Sequence, residues 1–531
     1  MYIHTRTVDD KIFDAWISPD RFTKNPDIVQ LKSGRLLLVY SDNDQHWSLE
    51  SQILTILSSD DLGRTWSKLC EVDRADLRKG DERLVTPRLS YLSDERLAVI
   101  VDHDDYSHFQ EDQPPGNWIY WSSDDGKTWT DHQTTDIKGF EPDRIMELPD
   151  WRLAVCTHVM RRESQEFAEI MSCSDDGGKT WYENATIAHD GYHRFCEGAL
   201  VILDGGQELA CVMRENHSSG IPSFVSFSKD MGKSWSEPQI MPFALHRPYA
   251  KQLADGRVMV TGRHVNGGLG TYAWVGDLRA EAGMYAIGGP RRKYLAELNN
   301  DELIVTNKAE YECRYTLLPP ESSKSEVLFE AEVKIEADHD EPVAFLSLNR
   351  HRQVVINIAR NWVGVSRIHA DLARSVDMTQ YHTITVTHKQ GVMTVLCDGE
   401  VLSQGPVYWE HPQISDHVGG DPTKRTQFGQ LGDRGRSYWR RVRYEVENAR
   451  LPPYSWEWSA ASGRRPDQYQ RDRMIQIHAN SPDQKPGPDH GYSSWLVLED
   501  GRIILVDYTN RGDKPTKSHV VGVFLDPSDI E

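Results

Sequence analysis

Ionisable side chains stand at the ends of short apolar runs along this chain. Lys24 and Asp27 open one run, and Asp42 and Asp44 close the next. Arg88 is followed in the same way by Asp102 and His103, and Glu141, Asp143 and Arg144 by His158. Glu197 is followed by Arg214, His246 and Arg247 by Arg263 and His264, and Tyr492 by Asp507. If a fold gathers these ends around one axis, they form a polar funnel of carboxylates, arginines, histidines and a tyrosine. Such a funnel has groups for proton transfer and for holding an anion through arginine forks. The bland alternative is a solvated rim of loop ends.

Asp102-His103-Asp104-Asp105 has the types of a metal site, but no His-x-x-x-His or cysteine pair supports one. Neither a metal nor a cofactor is expected. An acid/base or hydroxyl-binding role suits the segment as well, and a solvated acidic loop is plainer. His103 with Tyr492 or Tyr106 would also serve a lyase that abstracts a proton beside a uronate carboxylate. The seven cysteines are scattered, form no C-x-x-C and sit mostly in apolar runs, as small hydrophobes of a reduced protein do.

The elements that must position these groups show in two repeats. Ser-x-Asp-x-Gly-x-Thr/Ser-Trp recurs at Ser59–Trp66, Ser122–Trp129, Ser174–Trp181 and Ser228–Trp235. Its Asp and Ser bind turn amides, its Gly permits positive φ, and its Trp packs between strands. In phase with it, a strand, an Asp/Gly turn and a second strand recur six times, beginning at Pro26, Pro87, Pro142, Glu197, Arg247 and Tyr492. Short even strands with periodic turns predict an all-β fold, a six-bladed β-propeller. The fifth and sixth copies lie too far apart for a loop, and the stretch between has strand patterns of its own, with a hairpin at Lys389-Gln390-Gly391. The expected division is 1–285 for the first five blades, 286–465 for an inserted β-sandwich between blades five and six, and 466–531 for the last blade.

Sixty Lys plus Arg against 81 Asp plus Glu give a net charge of −21 over 531 residues, which argues against a general nucleic-acid binder. No apolar run approaches the ~20 residues that span a bilayer, so no membrane partner is expected. Met1 leads into no basic and apolar leader, which suggests a cytoplasmic protein, or a secreted one if a leader has been trimmed away.

The four Ser-x-Asp-x-Gly-x-Thr/Ser-Trp turns resemble the Asp-box, or BNR, repeats of the sialidase superfamily, over about 1–285 and 466–531. The insert resembles concanavalin or laminin-G sandwiches, a surface for sugar or for a homo-oligomer. Gly491-Tyr492-Ser493-Ser494 is similar to the family's nucleophile segment, and Cys196-Glu197 with Met213-Arg214 to the segment of its activating glutamate and a clamp arginine. The resemblance implies an exo-acting glycoside hydrolase that releases a terminal, acidic sugar from a glycan. Tyr492 would be the nucleophile, Glu197 its base and Asp44 the acid/base, in competition with Asp42, Glu50 and Asp102. Lys24, Arg88, Asp102, His103, Arg144, Arg214, Arg247 and Arg263 would bind substrate. A carboxylate can activate a phenol, which is a poor nucleophile near pKa 10, and a neutral phenol meets an anionic sugar with less repulsion than a carboxylate would. Lys24-Asn25-Pro26 stands where the family has Arg-Ile-Pro, so the planar fork is lost there. Asp507 stands where an acid normally steadies that arginine. A neutral-sugar hydrolase acting on a rhamnoside or arabinofuranoside, a polysaccharide lyase and a non-catalytic sugar-binding propeller are the alternatives.

Overall fold

The computed structural model describes residues 6–103, 116–164, 166–216, 221–266, 269–290, 295–306, 313–322, 324–348, 354–366, 372–406, 425–480 and 487–531. The fold is nearly all β, and among the described residues the two α-helices, Leu278–Glu281 and Gln468–Arg473, are short.

Among the described residues, six antiparallel sheets have four strands each. The first runs Phe22–Gln30, Leu36–Asn43, Ser51–Ser59, Ser67–Asp76, and the next three repeat that meander along the chain. Leu36–Asn43 and Ile503–Thr509 are buried at every residue, so their apolar, partly β-branched runs read as strands covered on both faces. The cover comes from neighbouring sheets. Val39 and Ile56 pack with Leu89 and Val99, and Ile100 and Ile119 with Ile145 and Val155. Cys156 and Met171 pack with Leu200 and Met213, and Val201 and Val212 with Val258 and Tyr272. Met259 and Ala273 pack with Trp495 and Leu505, and Ile504 and Val506 return to Leu36 and Leu38. The six sheets therefore pack in cyclic order.

Two sheets borrow their outer strand from elsewhere in the chain. Leu245–Gln252, Val258–His264 and Gly270–Gly276 are completed by Met474–Ala479, and His490–Val497, Ile503–Thr509 and His519–Leu525 by Ile12–Trp16. This corrects the expected break between the fifth and sixth units. The insert enters after the third strand of the fifth sheet, and the segment after it first finishes that sheet. The strand-turn-strand repeat marks only the two inner strands of each unit, so it carries no signal for the outer one.

Strands from Leu295–Leu298 to Tyr454–Ser459 form two larger antiparallel sheets, of eight and six strands. Glu326–Glu336 alternates buried and half-exposed residues, the pattern of a strand with one face in a core. The hairpin His382–Lys389 to Val392–Cys397 turns at Gln390-Gly391. Phe329, Leu346, Ile356, Phe428 and Trp439 share one apolar cluster that continues into Phe195 and Met213 of the fourth sheet.

The four Ser-x-Asp turns have one hydrogen-bond set. In the first, Ser59 Oγ donates to Asp61 Oδ1 at 2.8 Å, the Thr65 amide donates to the same oxygen at 2.9 Å, and Trp66 Nε1 donates to the Gly63 carbonyl at 3.0 Å. Ser59 pairs with Leu36, whereas Lys24 pairs with Ser41, so the turns lie at the opposite end of the sheets from Lys24.

Candidate active site

Five of the six innermost strands carry a bulge near their start. Strand register shifts between Lys24 and Asp27, Val85 and Arg88, Cys196 and Ala199, His246 and Tyr249, and Gly491 and Ser494. The bulged residues are Asn25, Thr86, Glu197, Arg247 and Tyr492, and Glu141 holds the equivalent place before Pro142. Five of the six have positive φ: Asn25 54°, Thr86 52°, Glu141 55°, Glu197 50° and Tyr492 61°. Non-glycine residues in the left-handed region cost about 1–2 kcal/mol each, and such strain concentrates where a side chain is re-aimed for function.

The aimed side chains meet. Tyr492 Oη donates to Glu197 Oε1 at 2.9 Å, and Arg214 Nη1 donates to the same oxygen at 2.6 Å. The other arm of Arg214 reaches Asn216 Oδ1 at 2.8 Å. Arg247 donates to Glu141 Oε2 at 2.9 Å and to the Pro142 carbonyl, and its guanidinium lies 5.6 Å from the Tyr492 ring centre. Arg263 Nε donates to the His490 carbonyl at 2.6 Å, and its Nη2 lies 3.5 Å from Asp489 Oδ1. Asp489 also accepts from Tyr508 Oη at 2.7 Å and contacts His46 Nδ1 at 2.6 Å.

Electrostatics separates the two neighbouring glutamates. Burial opposes ionisation of Glu197, but Arg214 and Arg247 outweigh it and hold the carboxyl down at about 2. Glu141 is raised by burial and by the Glu197 charge, with Arg247 pulling the other way. Burial, Glu141 and Glu197 push the Tyr492 phenol well above its ordinary value. The resting pair is thus a neutral phenol donating to a carboxylate. Burial pulls the Lys24 ammonium down against the attraction of Glu141 and Asp489. Lys24 Nζ is held by the His46 carbonyl at 2.9 Å, 5.3 Å from the Trp47 ring centre.

Several expected site residues stand elsewhere. Asp44 Oδ1 accepts the Glu50 and Ser51 amides at 3.1 Å and Oδ2 the Leu49 amide at 3.2 Å. Those amides hold it below the usual carboxylate range against a desolvation penalty, so it organises its own loop as an anion and is a poor proton donor. Asp42 is tied to Arg21 and Ser18, and Glu50 is exposed. Arg88 and Arg144 lie against Tyr249, 5.9 and 4.7 Å from its ring centre, with Arg144 donating to the Leu200 and Ala250 carbonyls. Arg144 and Tyr249 line a separate cavity of about 370 Å³, with Ile28, Leu89 and Lys251. Asp102 is buried beside Val85, and His103 lies 2.5 Å from Glu82 and stacks on Trp118. Asp104, Asp105 and Tyr106 lie outside the described residues. Asp507 binds Thr271 and His478, not Lys24.

Sequence reasoning placed Glu141 at a strand end without a role and missed Asp489 and Asn216. The signal for Glu141 was its place before a proline, shared with Asn25, Thr86 and Arg247. Among the described residues, two groups bring three possible metal donors within 4.8 Å of one another, Cys156 with Glu169 and Cys211, and His382 with Cys397 and Asp398. Neither includes a residue of the Tyr492–Glu197 site.

Residues 72–296 match the BNR repeat-like domain family. That BNR-like segment spans Arg88, Glu141, Glu197, Arg214, Arg247 and Arg263 and stops short of Tyr492. A comparison with curated proteins finds no match. Among solved structures, a Dyadobacter fermentans protein of unknown function is similar at 16% identity and a TM-score of 0.44, over 60% of this chain and 94% of its own. A Hadza microbial sialidase is similar at 14% identity and 0.39, over 58% and 66%. Penicillium chrysogenum α-L-arabinanase is similar at 16% and 0.39, over 58% and 92%.

Proposed function

We propose that this chain is an exo-acting glycoside hydrolase of the sialidase type, built as a six-bladed β-propeller (1–285 and 466–531) with an inserted β-sandwich (286–465). Its substrate is a glycan ending in an acidic sugar. The cyclic packing of six sheets and the BNR-like segment support the architecture. The observation that carries the chemistry is Tyr492 Oη donating to Glu197, with Arg214 on the same carboxylate oxygen.

Arg214, Arg247 and Arg263 offer guanidinium forks for the sugar carboxylate, and Lys24 adds a fourth cation. Binding that anion diverts Arg214 and Arg247 from Glu197, and the glutamate becomes more basic as the substrate settles. Tyr492 Oη then attacks the anomeric carbon while its proton passes to Glu197, so no free phenolate forms at neutral pH. The leaving oxygen takes a proton from Glu141. With Arg247 turned to the substrate, burial and the Glu197 charge both favour a protonated Glu141. Water then attacks the anomeric carbon with Glu141 as base, the bond to Tyr492 Oη breaks as Glu197 returns its proton, and the free sugar leaves.

Turnover of a panel of aryl glycosides of acidic and neutral sugars tests this reading. Tyr492→Phe and Glu197→Gln should each lower kcat by about 10³-fold or more on the sugar that wild type hydrolyses. Near wild-type rates in both would sink the mechanism. Release of an unsaturated uronate from acidic polysaccharide would instead favour a lyase.

A further inference from the structure

The bulge that carries Glu197 departs from its counterparts. Asn25, Thr86, Glu141 and Arg247 are each followed by proline; Tyr492 is followed by Ser493, and Glu197 by Gly198. Proline has no amide hydrogen, and here the amide is used. Gly198 N donates to Glu169 Oε1 at 3.2 Å, and Glu197 N donates to His158 Nδ1 at 3.3 Å. The Gly198 carbonyl accepts from the Cys156 thiol at 3.2 Å. His158 and Glu169 pair across Leu153–Met160 and Phe167–Ser174, so one rung of the third sheet meets both amides of the bulge in the fourth. A Cβ at residue 198 would lie 2.6 Å from Glu169 Oε1 and 2.7 Å from Cys211 Sγ, which explains the glycine.

We propose that His158 and Glu169 are positioning residues that lock the Glu197–Gly198 bulge in its left-handed conformation and so aim the Glu197 carboxylate at Tyr492 Oη. The inference deepens the hydrolase reading and rests on Tyr492 and Glu197 being its reacting pair. All three clamping side chains are buried, and burial disfavours the charged form of each. Burial pulls His158 down to about 3 and pushes the Glu169 carboxyl and the Cys156 thiol well up. The clamp thus fixes geometry and leaves the charge of Glu197 to Arg214 and Arg247. The acceptor role of His158 Nδ1 also sets its tautomer, with the proton on Nε2.

The test compares Glu169→Gln, which keeps an acceptor oxygen in the same place, with Glu169→Met, which keeps the volume and removes it. Glu169→Met should lower kcat by about 30- to 100-fold with KM within about twofold, as expected when a reacting group is misplaced by about 1 Å. Its acid limb of kcat/KM should move up, because in the free enzyme a misaimed Glu197 loses Arg214. Glu169→Gln should restore both to near wild type. His158→Phe is the second variant, with the same expected pattern, should Glu169→Met fail to fold by circular dichroism. Crystal structures of the variants add a readout independent of turnover: φ at residue 197 should leave the left-handed region and the Tyr492–Glu197 contact should lengthen beyond hydrogen-bond reach. A folded variant that keeps that geometry, or keeps wild-type kcat and acid limb, overturns the clamp. So does one equivalent of zinc in the purified wild-type protein, since Cys156 and Glu169 would then be ligands. Inactivity of Tyr492→Phe and Glu197→Gln alongside an unaffected Glu169→Met would remove the clamp and leave the hydrolase reading standing.

Discussion

At the scale of single residues, the site separates two carboxyls by environment. Glu197 faces two guanidiniums and stays ionised, while Glu141 is pushed up by burial and by its neighbour's charge. If Glu141 delivers the leaving-group proton, its removal should matter most when the leaving group is basic. Glu141→Gln is expected to keep kcat/KM for a nitrophenyl glycoside within about tenfold and to lower it by about 10²–10³-fold for an alkyl glycoside. Equal losses on both substrates would return the proton to another group. Asp44 provides the contrast. It accepts three backbone amides, so Asp44→Ala should cost about 1–3 kcal/mol in urea denaturation while kcat changes by less than about threefold. A folded Asp44→Ala with kcat down about 10³-fold would instead make Asp44 the proton donor. The resemblance implied that role in competition with Asp42, Glu50 and Asp102, but it says nothing about whether an acid's oxygens are already used by amides.

At the scale of elements, strand-turn-strand units were legible because their turns are chemically explicit. Ser59, Asp61, Gly63, Thr65 and Trp66 are linked by hydrogen bonds within eight residues, and that local set repeats at Asp124, Asp176 and Asp230. Tyr492 and Glu197 were reachable through a resemblance. Their pairing was implied by that resemblance alone and by no local pattern, because 295 residues of chain and a bulge in each of two sheets bring them together. The outer strands were invisible for a related reason. Met474–Ala479 and Ile12–Trp16 pair with sheets whose other strands are remote or follow an insert, and no local pattern announces such a partner. The turns also make a separable prediction. Gly63 has φ +86°, and a Cβ there would sit 2.2 Å from Ile504 Cδ1 in the sixth sheet. Gly63→Ala should therefore lower stability by about 1–3 kcal/mol through strain and overpacking. Because the turn lies at the far end of the sheet from Lys24, kcat of the folded fraction should not change. A selective loss of kcat with an unchanged urea midpoint would contradict that separation.

At the scale of the whole molecule, the net charge of −21 predicts little about stability near neutral pH, because the groups that couple folding to protons there are a few buried ones. Burial depresses His158 to about 3, His519 to about 4 and His490 well below its ordinary value. The unfolded chain binds protons at these histidines below about 6.5 and the folded chain does not, so each lowers stability as pH falls from about 6.5. Glu141 and Glu169 are raised by burial, and they act in the opposite direction. The folded chain keeps their protons above about 4.5 and the unfolded chain releases them, so each lowers stability as pH rises. His193 is also raised, through Asp190 at 2.6 Å and against burial; its contribution is full below about 6.5 and is lost as pH climbs through its folded value. Each group that differs fully between the two states has a slope of about 1.4 kcal/mol per pH unit. The two sets oppose one another from about pH 4.5 to 6.5, where the stability curve should be shallow. Above about 6.5 the depressed histidines fall silent while His193, raised from that value, continues, so stability should decline as pH rises further. Urea denaturation of wild type and Glu169→Gln at pH 5, 6.5 and 8 checks the sign. The variant has no carboxyl proton to retain, so it should fall more steeply than wild type as pH drops from 6.5 to 5. Parallel curves for the two proteins would mean that Glu169 titrates alike in the folded and unfolded chain, and that its burial is relieved by a partner that ionises with it.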